Sequence, residues 1–244
     1  MTETRGEGGV ADAREPVDRS RDGVPGAMSR DAPRHTMSVA RLEAFSDGVF
    51  AIAITLLVLE LKLPGEPESD SGLLHELLHL WPSYLSYVVS FLLIGMIWMN
   101  HHRMFHHIRR VDGMLLGLNN LLLLSVSFLP FPTHVLAESV HAGHGEHVAA
   151  VFYGLELVVG GICFNAVWWY ASLGHRLIGD TMTPAEASAL RLRWGVGPVL
   201  YLVAALLGLL SAAASLVMYV GLLVGYYFDL RPRPAAADPA RELL

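Results

Sequence analysis

The chain is short of charge, of cysteine and of lysine, and each shortage excludes a class of protein. Charged side chains are 16% of the 244 residues, against about a quarter in soluble domains. That excludes a soluble enzyme domain of ordinary composition. The one cysteine, Cys163, excludes an intramolecular disulfide and any multi-cysteine zinc or iron–sulfur site. Cys163 also sits in an apolar run, and no Gly-x-Ser-x-Gly elbow occurs, so a nucleophilic enzyme is not expected. The formal net charge of −6 argues against nucleic acid as a partner.

Apolar length is present instead. Hydrophobic residues make up 53% of the chain, and the mean hydropathy is +0.43. Residues 1–37 carry six arginines and seven acidic side chains without apolar periodicity, and read as a disordered tail rather than a signal peptide. Six apolar windows follow, at Glu43–Leu63, Trp81–Asn100, Gly113–Leu136, His147–Ala171, Trp194–Leu210 and Ala212–Leu230. Each is close to the ~20 residues a helix needs to cross a bilayer. These runs are continuous rather than alternating, and an open sheet cannot satisfy its backbone in lipid. The expected fold is therefore all-α and polytopic: six transmembrane helices over 38–230 and a short tail at 231–244. The last two windows are expected to form a hairpin about Ser211–Ala214.

An even number of spans puts both tails on one side, together with the 101–112 and 172–193 loops. That side holds Arg30, Arg34, Arg41, Arg103, Arg109, Arg110, Arg176, Arg191, Arg193, Arg231 and Arg233. The opposite loops, 64–80 and 137–146, hold no lysine or arginine, and Lys62 can snorkel outward from the end of the first window. The positive-inside rule then places both termini in the cytoplasm and the protein in the cell membrane. Glu66, Glu68, Asp70, Glu76, Glu138 and Glu146 lie in the outer loops, where they either concentrate cations or simply mark the side that lacks basic residues.

The first window carries the polar residues of most interest. Asp47 is costly in a spanning helix unless paired. Arg41, Ser46 and Asp47 are expected to form a polar knot, with Ser46 and Asp47 capping the helix start. Ile52, Leu56 and Leu59 fall on one stripe at i, i+4, i+7, with Thr55 at its flank and Ser46 and Asp47 on the other side. Periodicity alone leaves open whether that stripe faces lipid, a protein core or a pore.

Arg41-x-x-x-Phe45-Ser46-Asp47 followed by an apolar helix resembles the signature of the endolysosomal potassium channel family, transmembrane protein one-seventy-five, and its bacterial members. Trp98-x-x-His101-His102-Arg103-x-Phe105 is similar to the family's second-helix pattern. So is Leu118-Asn119 leading into Leu129-Pro130-Phe131-Pro132-Thr133. The likeness runs through all six windows, roughly residues 38–230.

The resemblance implies a passive, potassium-selective channel with no cofactor, proton permeation as a possible companion activity, and no TVGYG carbonyl filter, which this chain also lacks. It implies a pore lined by the first helix and narrowed by large apolar side chains at the positions of Ile52, Leu56 and Leu59. The threonine layer credited with selectivity in bacterial members matches Thr55. Arg41, Phe45, Ser46 and Asp47 match the signature that ties the first helix to its neighbours, and His101 and Asn119 are expected in the same polar network, His101 against Asp47. This chain has one signature where the animal proteins have two, so a homotetramer embedded in the lipid bilayer is implied, with potassium ions as its cargo.

The rival reading rests on histidines. His141-x-x-His144-x-x-His147, with His134 upstream, offers imidazoles for zinc or copper, as in a metal transporter or an intramembrane metal-dependent enzyme. Against it, the intervening glycines and the lack of visible supporting ligands favour a solvated, pH-responsive loop. Glu156, deep in the fourth window, is covered by no family motif and is either a cation or proton site or an acid bonded to a neighbouring helix. Asn100, Asn119, Asn120 and Asn165 are expected to bond between helices, and Trp168, Trp169 and Tyr170 to form an interfacial belt.

Overall fold

The computed structural model describes residues 37–63, 69–179 and 182–229. The tail assigned to 1–37, save Met37, and the one at 231–244 lie outside the described residues. Helices α1 (Val39–Leu56), α2 (Asp70–His79), α3 (Trp81–His107), α4 (Gly113–Phe128), α5 (Pro130–Ala142), α6 (Glu146–Ser172), α7 (Pro184–Gly208) and α8 (Ala212–Asp229) follow one another, with 3₁₀ turns at Leu57–Glu60 and Leu173–His175. Among the described residues β pairing is confined to one bridge, Ile108 to Ile178.

Among the described residues five helical stretches are long and apolar enough to cross a membrane: Val39–Glu60, Trp81–His107, Gly113–Ala142, Glu146–His175 and Pro184–Gly208. This is a multi-pass membrane protein. Its outer surface carries exposed Leu, Val, Ile and Phe along every span, as a bundle in lipid requires. The sixth window forms the shorter apolar helix α8.

Several boundaries differ from the sequence-based expectation, each for a local reason. Ser38 caps α1 by accepting from the Arg41 amide, so Ser46 and Asp47 lie two turns inside the helix and are not its caps. The third window is broken at Leu129, because Pro130 has no N–H to continue α4 and instead opens α5. The 64–80 segment is not all loop: Ser69 accepts from the Gly72 amide and starts α2. α5 likewise runs on to Ala142, leaving only Gly143, His144 and Gly145, the two glycines at φ of 68° and 78°, to turn the chain into α6. The last hairpin turns at Leu209–Ser211, where the Ser211 hydroxyl accepts from the Ala214 amide and Ala212 is already helical.

Small residues let α6 and α7 approach closely. Pro198, inside α7, cannot donate to the Trp194 carbonyl one turn back, and Asn165 of α6 donates to it instead at 3.1 Å. Gly161 makes room for the same proline: a Cβ there would sit 2.8 Å from Pro198 Cγ, atom against rigid ring. Gly161→Val is therefore expected to push α7 away and to lower the yield of monodisperse protein on size-exclusion chromatography, while Gly113→Ala, with open space around it, leaves that yield unchanged.

Two hydrogen-bond relays lock the bundle. Thr133 donates to the Leu129 carbonyl at 2.9 Å, so it accepts from Ser90 at 2.9 Å, and Ser90 in turn accepts from the Tyr153 hydroxyl at 3.2 Å. That relay joins α3, α5 and α6, and the sequence reading missed it, because a serine, a threonine and a tyrosine far apart carry no spacing signal.

Candidate pore helix and the network that holds it

The second relay holds α1. Ser46 is fully buried and donates to its own Leu42 carbonyl at 2.8 Å. Its oxygen therefore accepts, from Asn119 Nδ2 at 2.9 Å. That orients the amide, so Asn119 Oδ1 accepts from His101 Nε2 at 2.9 Å and fixes the ring as the Nε2–H tautomer. His101 is stacked on Phe105 at 4.2 Å and lies 5.3 Å from Phe50. Ser46, His101 and Asn119 thus tie α1, α3 and α4 together in a site with no access to water.

Asp47 is not part of that network, which corrects the expected pairing with His101 and Arg41. It lies about 100° round the helix from Ser46 and accepts from Trp98 Nε1 at 2.8 Å. His101, three residues beyond Trp98, turns instead toward α4. Arg41 is exposed and its backbone amide bonds to Ser38. Glu43 pairs with His102 at 2.7 Å, a second tie between α1 and α3.

The opposite face of α1 has no partner among the described residues. Phe45 is 57% exposed, Ile52 60% and Leu59 62%, with Arg41, Gly48, Thr55 and Leu56 also exposed. Positions 41, 45, 48, 52, 55 and 59 recur at the helical period, so they form one stripe about five turns long on the far side from buried Leu42, Ser46, Ala53 and Leu57. Thr55 donates its hydroxyl proton to the Ile52 carbonyl at 2.9 Å. This is the helix-bonded state of a spanning threonine, reached at i−3. That bond commits the hydroxyl proton to the helix and leaves the Thr55 oxygen on the exposed stripe.

At the acidic end of α1, Glu60 lies 3.2 Å from His134 Nδ1 on α5 and 4.0 Å from Lys62. His147 is likewise bonded through Nδ1, to the Gly208 carbonyl at 2.8 Å. Among the described residues no group of three or more His, Cys, Asp or Glu converges as metal ligands would.

At the arginine-bearing end, Asp112 caps α4 through the Leu115 amide and accepts from the Tyr170 hydroxyl at 2.6 Å, with Arg176 Nε at 3.9 Å and its guanidinium 4.9 Å above the Tyr170 ring. The belt expected at 168–170 is thus divided: Tyr170 serves this clamp, Trp169 is exposed, and Trp168 is fully buried against Trp194. Desolvation pushes the Asp112 carboxyl up, but the Tyr170 hydroxyl, the Leu115 amide and Arg176 outweigh it and hold the pKa below the usual aspartate value. Stability from this clamp is therefore present above the unfolded aspartate value near ~3.9 and is lost as pH falls through the lower, folded value. Asp112→Asn is expected to lower Tm at pH 7 and to reduce the fall in Tm between pH 5 and pH 3, as read by scanning fluorimetry.

The family model described as Endosomal/lysosomal potassium channel TMEM175 matches residues 41–130, which contain α1 from Arg41 onward, the Ser46–Asn119–His101 relay and Pro130. Potassium channel B446_29190 of Streptomyces collinus is 43% identical over 203 residues, covering 82% of this chain and 98% of that protein. The chain belongs to the TMEM175 family. A crystal structure described as a lysosomal potassium-selective channel TMEM175 homolog from Chamaesiphon minutus superposes with a TM-score of 0.70 at 40% identity, over 78% of this chain and 97% of that one. The Endosomal/lysosomal proton channel TMEM175 of Danio rerio is 31% identical over 164 residues, and the match spans 31% of its length. These relatives are named as channels and not as enzymes. The TMEM175 match takes in Ser46, Asp47, Trp98, His101 and Asn119, the residues that hold α1. Of these, Trp98 had no assigned role in the sequence reading, although it stood in the quoted motif and an indole N–H needs an acceptor.

Proposed function

We propose that this chain is a potassium channel without a carbonyl filter, whose ions pass through a hydrophobic constriction where the α1 helices of four copies meet. The observation that carries the proposal is the unpartnered stripe on α1. One face of the helix is held by hydrogen bonds to α3 and α4, while the other presents Ile52, Leu56 and Leu59, with Gly48 and Thr55 among them, without a partner among the described residues. A single copy encloses no passage along that stripe, so the pore needs several, and the single family signature favours a homotetramer. α8 is read as the sixth span, since its 18 residues rise about 27 Å. Six spans place both termini and the arginine-bearing loops in the cytoplasm of a cell-membrane protein.

In this reading Ile52 sets the narrowest layer, which conducts only when wide enough to wet, and Thr55 supplies hydroxyl oxygens one turn further on. Protons are a second permeant ion, a role carried by the name of the fish relative. The test is flux from purified protein in liposomes, with potassium, sodium and proton gradients compared. Potassium flux well above that of empty liposomes and unaffected by chelator is expected; its absence overturns the reading. Thr55→Val keeps the branched shape and removes the oxygen, so it is expected to lower potassium-over-sodium preference while conduction persists. The reversal potential across a potassium/sodium gradient reads the change, and an unshifted value assigns Thr55 to its helix bond alone.

A further inference from the structure

A cavity of about 90 Å³ lies inside the subunit, between α3, α4, α6, α7 and α8 and away from the α1 stripe. Its wall is mostly apolar, but Asn100, Ser125, Glu156, Asn165, Tyr201 and Tyr226 reach it, and no Lys, Arg or His does. The Ser125 hydroxyl donates to Glu156 Oε1 at 2.5 Å, which leaves the carboxylate without a basic partner in a membrane span. An unpaired charge there is among the most costly arrangements a bundle can contain.

Two of the residues that line it each carry a further, buried and unsatisfied oxygen. Tyr201 is 7% exposed, and its buried hydroxyl has no hydrogen-bond partner among the described residues. Asn165 spends its Nδ2 on the Gly161 and Trp194 carbonyls, which prevents the amide from turning over, and its buried Oδ1 is left without a partner. The nitrogen is thus committed to the helix break at Pro198, and the free end of the side chain is an oxygen.

We propose that this cavity binds one monovalent alkali cation against Glu156, at a site within each subunit and off the pore. Oxygen-only ligation suits a hard cation. A single positive charge balances a single carboxylate, whereas a divalent ion leaves a net charge in the bilayer. A proton on Glu156 also neutralises it, but it fills no volume and meets one acceptor, while the cavity leaves two oxygens unpartnered. The volume holds an ion with one or two waters, at roughly 30 Å³ per water.

The site is tested by X-ray diffraction from crystals of the full-length protein grown in rubidium chloride, with data collected at the rubidium edge. An anomalous peak beside Glu156 in every copy, distinct from any on the axis shared by the α1 helices, is expected in the wild type. The peak is expected to vanish in Glu156→Gln and to lose occupancy in Tyr201→Phe. An empty cavity in the wild type overturns the proposal, and so does a peak that survives in Glu156→Gln. A wild-type cavity holding only water beside Glu156, in saturating rubidium, identifies a proton as the neutralising partner and overturns it equally. The wild-type crystal decides even where a variant fails to fold, and no flux enters the readout, so failure here is separate from failure of the channel reading.

Discussion

Replacing Ile52 by asparagine is expected to raise cation flux roughly tenfold, equivalent to about 1.4 kcal/mol off the permeation barrier, and to weaken discrimination between potassium and sodium. The side chain stands 60% exposed on a helix whose other face is fully committed. In a ring of four, an isobutyl-sized apolar layer excludes water by dewetting, and an amide of similar size hydrates it. On a lipid-facing stripe the same change introduces a polar group into hydrocarbon, lowers insertion and leaves the flux per folded channel unchanged. Liposome flux normalised to reconstituted protein separates the two, and wild-type flux with wild-type selectivity removes Ile52 from the pore.

Asn119→Leu is expected to be the most damaging single change to the fold. It keeps much of the volume but leaves His101 Nε2–H without an acceptor and Ser46 Oγ without a donor, both in positions closed to water. Each buried group left unsatisfied costs about 1–3 kcal/mol. Relays within membranes are weaker on average, because the unfolded helices also find partners. A drop in Tm of roughly 3–10 °C follows for a domain of this size, with lost oligomer on size exclusion. Asp47→Ala is expected to do less, because Asp47 has one bond, to an indole N–H that can turn toward the headgroup region. Equal losses from the two variants would mean that Asp47 and Asn119 share one network after all.

Much of the site was legible because helical periodicity is a local property. Ile52, Thr55, Leu56 and Leu59 were placed on one flank and Ser46 on the other by counting at 3.6 residues per turn, and α1 shows both. The pairings within the polar set were not legible. Asp47 was assigned to His101, and the structure pairs it with Trp98 and gives His101 to Asn119, a choice set by the rotation of α3 against α1 and α4. The histidine run illustrates the same limit: His-x-x-His-x-x-His is a metal pattern on paper, but its spacing says nothing of the Gly208 carbonyl that bonds His147, or of Glu60, which bonds His134 upstream of it.

Composition and patterning alone determined that this is a multi-pass helical protein, where most of its spans begin to within a few residues, α7 excepted, which starts at Pro184 rather than Trp194, and which end carries the arginines. These follow from the cost of exposing backbone and charge to hydrocarbon, which acts on each segment separately. Tertiary structure alone decided which partner each buried polar group took and that Glu156, Asn165 and Tyr201 line one cavity. It also decided that Asn165 caps the carbonyl freed by Pro198. Those depend on the relative rotation and depth of helices, which close packing of small residues sets and no single segment encodes.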